Sequence, residues 1–132
     1  YLYNDVINII ANIVIHLQLN ITQYMLSALG GLPDKRVRDD EFIPAGGINK
    51  VDLALEIDKV FLDALNIIKE MDANKCVQVL TIQGFEMTGI GAVIHVVEHA
   101  SYHVCQITYL TKMYTSQETN YYAGIDLNIH NE

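Results

Sequence analysis

Cysteine is scarce, basic side chains are few and long apolar runs are missing, and each shortage excludes something. The two cysteines, Cys76 and Cys105, are too few for a disulfide scaffold and share no close metal-type spacing, which suits a reducing cytosol. Eight basic residues against sixteen acidic ones give a formal net charge of −8, which repels a phosphate backbone, so no nucleic-acid partner is expected. A bilayer span needs roughly 20 consecutive apolar residues. The most hydrophobic stretch, Val6 to Leu19, is interrupted by Asn8, Asn12, His16 and Gln18, so no membrane partner is expected either. The same stretch lacks the basic start and small-residue cleavage site of a signal peptide. The expectation is a cytoplasmic protein.

What is present is apolar and helical. The 132 residues are 51% hydrophobic, enough for one domain over 1–132 with its own core. Helical periodicity marks three long segments, about 5–29, 50–71 and 88–114. The first stops at Gly30-Gly31 before Pro33, because glycine tolerates left-handed backbone and proline cannot continue the ladder. A mixed-charge loop, Asp34 to Phe42, follows and continues into the turn residues Pro44 and Gly46-Gly47; its charges are expected to pair or stay solvated. Asn49 is placed to cap the second helix, with Asp52 near its positive end. That helix carries Asp52, Glu56, Lys59, Asp63, Asn66 and Glu70 on one face. Leu53, Ile57, Val60, Phe61, Ala64, Ile68 and Met71 are expected to turn to a core. Val77 to Phe85 alternates weakly and could be extended or irregular. The polar tail after Tyr114 is expected to wrap the bundle or fray. The chain starts at Tyr1 and enters a helical pattern at once, so a segment is expected to precede it.

The third helix carries His95, His99 and His103. Steps of four residues advance the helix by about 400°, so the three rings climb one stripe. Tyr102 and Gln106 share it, beside the apolar Val93, Val96, Val97, Val104 and Ile107, while Glu98, Ser101, Thr108 and Lys112 face water. The first helix has its own polar line of Asn12, His16, Asn20, Gln23 and Ser27 between apolar flanks. Buried polar groups need partners. The histidine stripe is the comparable surface, so packing the first helix on the third brings His16 toward His99 and His103. Two readings are open at this point: a metal site, or histidines that only hydrogen-bond. His95 is taken as a supporting or packing histidine and His130 as a solvated one.

These residues resemble the DinB/YfiT-like proteins. The carriers are His95-Val-Val-Glu-His99-Ala-Ser-Tyr-His103-Val-Cys-Gln106-Ile107, similar to that family's H-x3-H-x2-Q segment, together with Asn8 to Asn20 and the loop Arg36-Val-Arg38-Asp39-Asp-Glu41-Phe42. The resemblance implies an all-α four-helix bundle with a three-histidine metal site, with the ligands falling on His16, His99 and His103. It also implies a divalent metal, nickel or zinc, and a homodimer. Two departures stand out. Cys105 occupies a position where the family commonly has glycine, and the family's first helix has no counterpart here.

Three neutral histidines on a divalent ion leave a coordination position open to water or substrate. Such an ion can acidify a bound water for hydrolysis or a bound small thiol for transfer. No carboxylate lies in the His99–His103 stripe to act as general base, Glu98 faces the wet side, and Asp5 is about three turns from His16. Thiol transfer needs that base less. The resemblance points the same way, since characterised relatives include low-molecular-weight-thiol S-transferases, although other members are assigned as metal-dependent hydrolases. Transfer of a low-molecular-weight thiol to an electrophile is therefore placed first and hydrolysis second. A non-enzymatic site tying two helices together is the third reading. His95, Asn20, Tyr102 and Gln106 are expected to support the site or line its pocket, and Tyr24 could join them, although each also suits ordinary helix packing. The Asp34–Phe42 loop is expected to serve as a structural salt-bridge segment.

Overall fold

The structure is a computed structural model and describes residues 2–42 and 49–130, so the expected turn at Pro44 and Gly46-Gly47 lies outside the described residues. Helix α1 (Leu2–Ile21) runs without a break into a π-helical stretch, Thr22–Leu29. Helix α2 (Lys50–Glu70) and helix α4 (Gly89–Thr115) both pack on this first helix and hardly touch each other. Between them in the chain come a short helix α3 (Ala73–Val77) and an antiparallel hairpin of β1 (Val79–Ile82) and β2 (Phe85–Thr88). The chain is therefore mostly helical rather than all-α.

The first helix is central because apolar flanks lie on both sides of its polar line. Gln23, Tyr24, Met25 and Leu26 are buried in succession, as expected for a helix covered on several sides. By length and composition alone, Asn8–Leu29 qualifies as a membrane span, with a mean hydropathy of 1.3 over 22 residues, which the count of uninterrupted apolar runs did not anticipate. In the structure this is the helix on which the others pack. Ile21, Met25 and Leu29 are almost fully buried, each stabilising the fold by about 1.5–3 kcal/mol. Val60 and Ala64 of α2, Ile82 of the hairpin, and Ala92 and Val96 of α4 complete the core around them.

The predicted stop is where the helix ends. The amides of Gly30, Gly31 and Leu32 donate to the carbonyls of Met25, Ser27 and Leu26, closing the last turn, with Gly31 at φ +79°. Gly30 has no room for a side chain, because a Cβ there would lie 2.6 Å from the Leu26 carbonyl oxygen and 2.8 Å from Ile67 Cδ1.

Helix α2 begins as expected, with the Asn49 side chain accepting from the Val51 amide at 2.9 Å. Its apolar face is less covered than its pattern predicts. Phe61 and Ile68 are 36% and 37% exposed, and on α4 Val97 and Val104 are exposed as well. The reason is geometric: α2 and α4 flank α1 and hardly touch, which leaves a groove of 160 Å³ floored by Ile21 and Met25 and walled by Phe61, Leu65, Val93 and Val97.

The weakly alternating segment resolves into the hairpin, with Ile82 opposite Phe85. Its two-residue turn places Gln83 at φ +54° and Gly84 at φ +82°, the pair of positive values that a type I′ turn requires. The hairpin delivers the chain to α4, where Thr88 Oγ1 accepts from the Gly91 amide at 3.1 Å. Beyond α4 the tail folds back on the helix end through Thr108 Oγ1 with the Tyr121 hydroxyl at 2.8 Å and Lys112 Nζ with Glu118 at 3.0 Å.

Candidate metal centre

Helices α1 and α4 cross antiparallel, so His16 meets His99 and His103 while Tyr24, two turns further along α1, meets His95. The Nε2 atoms of His16 and His103 each lie 3.1 Å from His99 Nε2, and one ligand atom from each of the three residues falls within 4.8 Å of the others. Three nitrogens at about 2.0–2.1 Å from one tetrahedral ion stand roughly 3.4 Å apart. The two pairs that share His99 lie close to that spacing.

Protonation follows from the opposite ring edges. Glu41 Oε2 lies 2.7 Å from His16 Nδ1, and a carboxylate can only accept, so Nδ1 carries the hydrogen and Nε2 of the neutral ring presents its lone pair. Gln106 Oε1 takes the same part at 2.7 Å from His103 Nδ1, and its amide nitrogen donates to the Tyr102 hydroxyl at 3.0 Å, which fixes its orientation. Two lone pairs therefore face His99 Nε2, which can supply at most one hydrogen. A cation satisfies all three at once, and the donor set suits a divalent ion that accepts imidazole. Burial, together with the neighbouring histidines, pushes the His99 imidazole down to about 4; burial also lowers His103, opposed by its bond to Gln106. Both rings are thus neutral at pH 7, the form that ligates.

Glu41 belongs to a buried network drawn from the charged loop. Arg36 Nε and Nη2 donate to its two oxygens at 2.6 and 3.1 Å, a two-point clamp on a fully buried carboxylate. Burial pushes the Glu41 carboxyl up, but hydrogen bonds from Arg36 and His16 and the guanidinium charge outweigh it and leave it below its ordinary value. Arg36 Nη1 also donates to Gln23 Oε1 at 2.9 Å, and Gln23 Nε2 donates to Asp34 at 2.7 Å. The polar line of α1 is therefore served by two surfaces. His16 and Gln23 turn to this loop as well as to α4, because the turn Arg38–Phe42 folds back against α1.

A cavity of 460 Å³ opens over the cluster, bounded by Ile9, Asn12 and Ile13 of α1, the three histidines, and Arg38 of the loop. The other predicted residues lie around it rather than on its wall. Tyr102 is exposed and touches the edge of His103, and Gln106 stands behind the same ring. His95 stacks on Tyr24 with ring centres 4.2 Å apart and contributes no atom to the triad. Tyr24 is buried, its hydroxyl donating to Gln83 Oε1 at 3.2 Å. Asn20 is 4% exposed. Its Oδ1, His95 Nε2 and His99 Nδ1 are buried without a hydrogen-bond partner among the described residues. Cys105 is exposed, Cys76 half-buried, and both are free thiols.

Sequence reasoning missed Glu41 and Arg36 as parts of the site. The loop was legible as a salt-bridge segment, yet nothing in its run of acids singled out one carboxylate for His16.

Comparison with protein families matches residues 1–124, nearly the whole chain, to DUF1572, described as a protein of unknown function. The chain belongs to the DUF1572 family. DUF1572 is DinB/YfiT-like, which agrees with the resemblance carried by the histidine segment. No curated protein and no solved structure matches the chain. The DUF1572 match leaves the activity to be argued from the site.

Proposed function

We propose that this DUF1572 protein holds one divalent cation, nickel or zinc, on the Nε2 atoms of His16, His99 and His103, and uses it to activate a small thiol for transfer to an electrophile. The observation that carries the reading is the convergence of three imidazole nitrogens at the base of an open cavity, two of them with their far-side hydrogens committed to Glu41 and Gln106. A bound divalent cation would acidify a coordinated water or thiol. The protein supplies the rest: Glu41 and Gln106 fix ring tautomer and orientation, and Ile9 and Ile13 give the entering molecule an apolar wall.

Thiol transfer is preferred to hydrolysis because no carboxylate lines the cavity among the described residues. Glu41, the acid bonded to His16, has one oxygen on Arg36 and the other shared by Arg36 and His16, on the far side of the ring from the cavity. Those three bonds hold it away from the cavity, so it is not placed to deprotonate a water there.

Elemental analysis of the purified protein and of His99→Ala tests the site, with about one equivalent of metal expected in the first and a large loss in the second. Metal-free wild type from metal-replete medium removes the reading. Incubation of loaded protein with a small thiol and an alkylating electrophile tests the chemistry. Stability lost on chelation, without turnover under any thiol, assigns the cluster a structural role instead.

A further inference from the structure

The cavity wall carries a second chemical instruction besides the histidines. Apart from them its lining is two isoleucines, one asparagine and one arginine, Arg38, with no carboxylate among the described residues. A guanidinium over a metal-type cluster is notable in a chain of net charge −8, whose overall field repels anions. Arg38 opens the turn Arg38–Phe42, and Glu41, three residues on, is tied to His16 and clamped by Arg36. The turn is thereby anchored to the cluster, so Arg38 is held beside the cavity. Its five N–H donors let it serve a ligand and a protein neighbour together. Asn12 adds a polar neighbour on the same wall, and its Oδ1 is buried without a partner among the described residues.

We infer that the cavity is built for a small carboxylate-bearing ligand whose anionic group docks on Arg38 while a second donor atom reaches the three-histidine cluster. The planar fork of arginine matches a carboxylate at two points, which makes this a choice of ligand as well as an attraction. The carbon chain between the two ends lies on Ile9 and Ile13. At 460 Å³ the space suits a compact metabolite rather than a polymer. The inference rests on the thiol reading above for the nature of the second donor, and the test separates the two.

The test uses cobalt-loaded full-length protein, wild type and Arg38→Gln, titrated with 3-mercaptopropionate and with its neutral counterpart 3-mercapto-1-propanol. Coordination, with release of the thiol proton to solvent, is read from the sulfur-to-cobalt absorption band. Wild type is expected to bind the carboxylate thiol about tenfold more tightly than the neutral one, and Arg38→Gln to lose that preference while its affinity for the neutral thiol stays the same. Equal affinities in wild type, or a preference that survives in Arg38→Gln, overturn the inference. Propionate and 1-propanol, followed by amide shifts in NMR, form the second arm. Arg38-dependent propionate binding with no cobalt–sulfur band keeps the anion site and removes the thiol reading; no Arg38-dependent binding of either carboxylate removes the inference itself. Arg38 is exposed, so the substitution leaves the core intact.

Discussion

Glu41 reaches across 25 positions of sequence to place its Oε2 2.7 Å from His16 Nδ1, and Arg36 holds that same carboxylate in a two-point grip. The relationship makes the loop part of the candidate centre: the carboxylate sets which nitrogen of His16 carries hydrogen, and the guanidinium keeps the carboxylate ionised.

Glu41→Gln is therefore expected to weaken divalent-metal affinity by about 10–100-fold, measured by competition with a chromogenic chelator. It also strands the buried Arg36 charge, at a cost of about 3–5 kcal/mol in chemical denaturation. Arg36→Met with Glu41→Leu separates the effects, because the buried charges leave together: stability should recover while metal affinity stays low. Recovery of both refutes the orienting role.

The histidine cluster makes stability depend on pH with a definite sign. The folded-state value of His99 is about 4, below its ordinary 6.5, so the unfolded chain binds the proton more readily. The contribution is complete above pH 6.5 and is lost as pH falls from there through about 4. The metal-free protein should lose no more than roughly 3 kcal/mol from this group across that window. His99→Phe should flatten that part of the profile in urea denaturation; an unchanged slope contradicts the assignment.

His95 and His103 share one helix stripe but differ in what they reach. His103→Ala is expected to abolish stoichiometric metal binding, because Nε2 of that ring belongs to the triad. His95→Phe is expected to retain metal, since His95 contributes a ring stacked on Tyr24 and no ligand atom. Isothermal titration of both variants decides, and equal loss in the two would break the three-ligand description.

Gly30→Ala probes the link between α1 and α2. The added methyl meets a backbone carbonyl at 2.6 Å and Ile67 at 2.8 Å, and only the second can move aside. Destabilisation of about 1–3 kcal/mol is expected, as for other overpacked sites. Gly84→Ala should also destabilise the protein although space is open around it, because its φ of +82° disfavours a side chain.

The helices and the three histidines were legible because both rest on one period. Four-residue spacing put His99 and His103 on a line, and the polar line of α1 pointed to its partner. Structure at turns was harder to read. Gln83-Gly84 is a weak version of the Asn-Gly signal, so the hairpin looked irregular. Glu41 sits beside Asp39 and Asp40, both exposed, and only the path of the turn decides which of the three is buried. The π-helical stretch keeps hydrogen bonds five residues apart, which a 100° step cannot follow, so stripe positions beyond Ile21 drift from the ideal line. Phe61, Ile68 and Val97 have apolar patterns that foretell a partner surface, and no periodicity says whether the described chain provides one.

The Arg36–Glu41 clamp is made entirely by the protein, and this bears on how the centre would fill. His16 is already aimed by a bond that needs no ion, and so is His103 through Gln106. An arriving ion meets a socket whose side chains are already set, so the pace of loading is governed by how fast the ion sheds its water. Loading and stripping should then be repeatable on one sample without a refolding step between cycles.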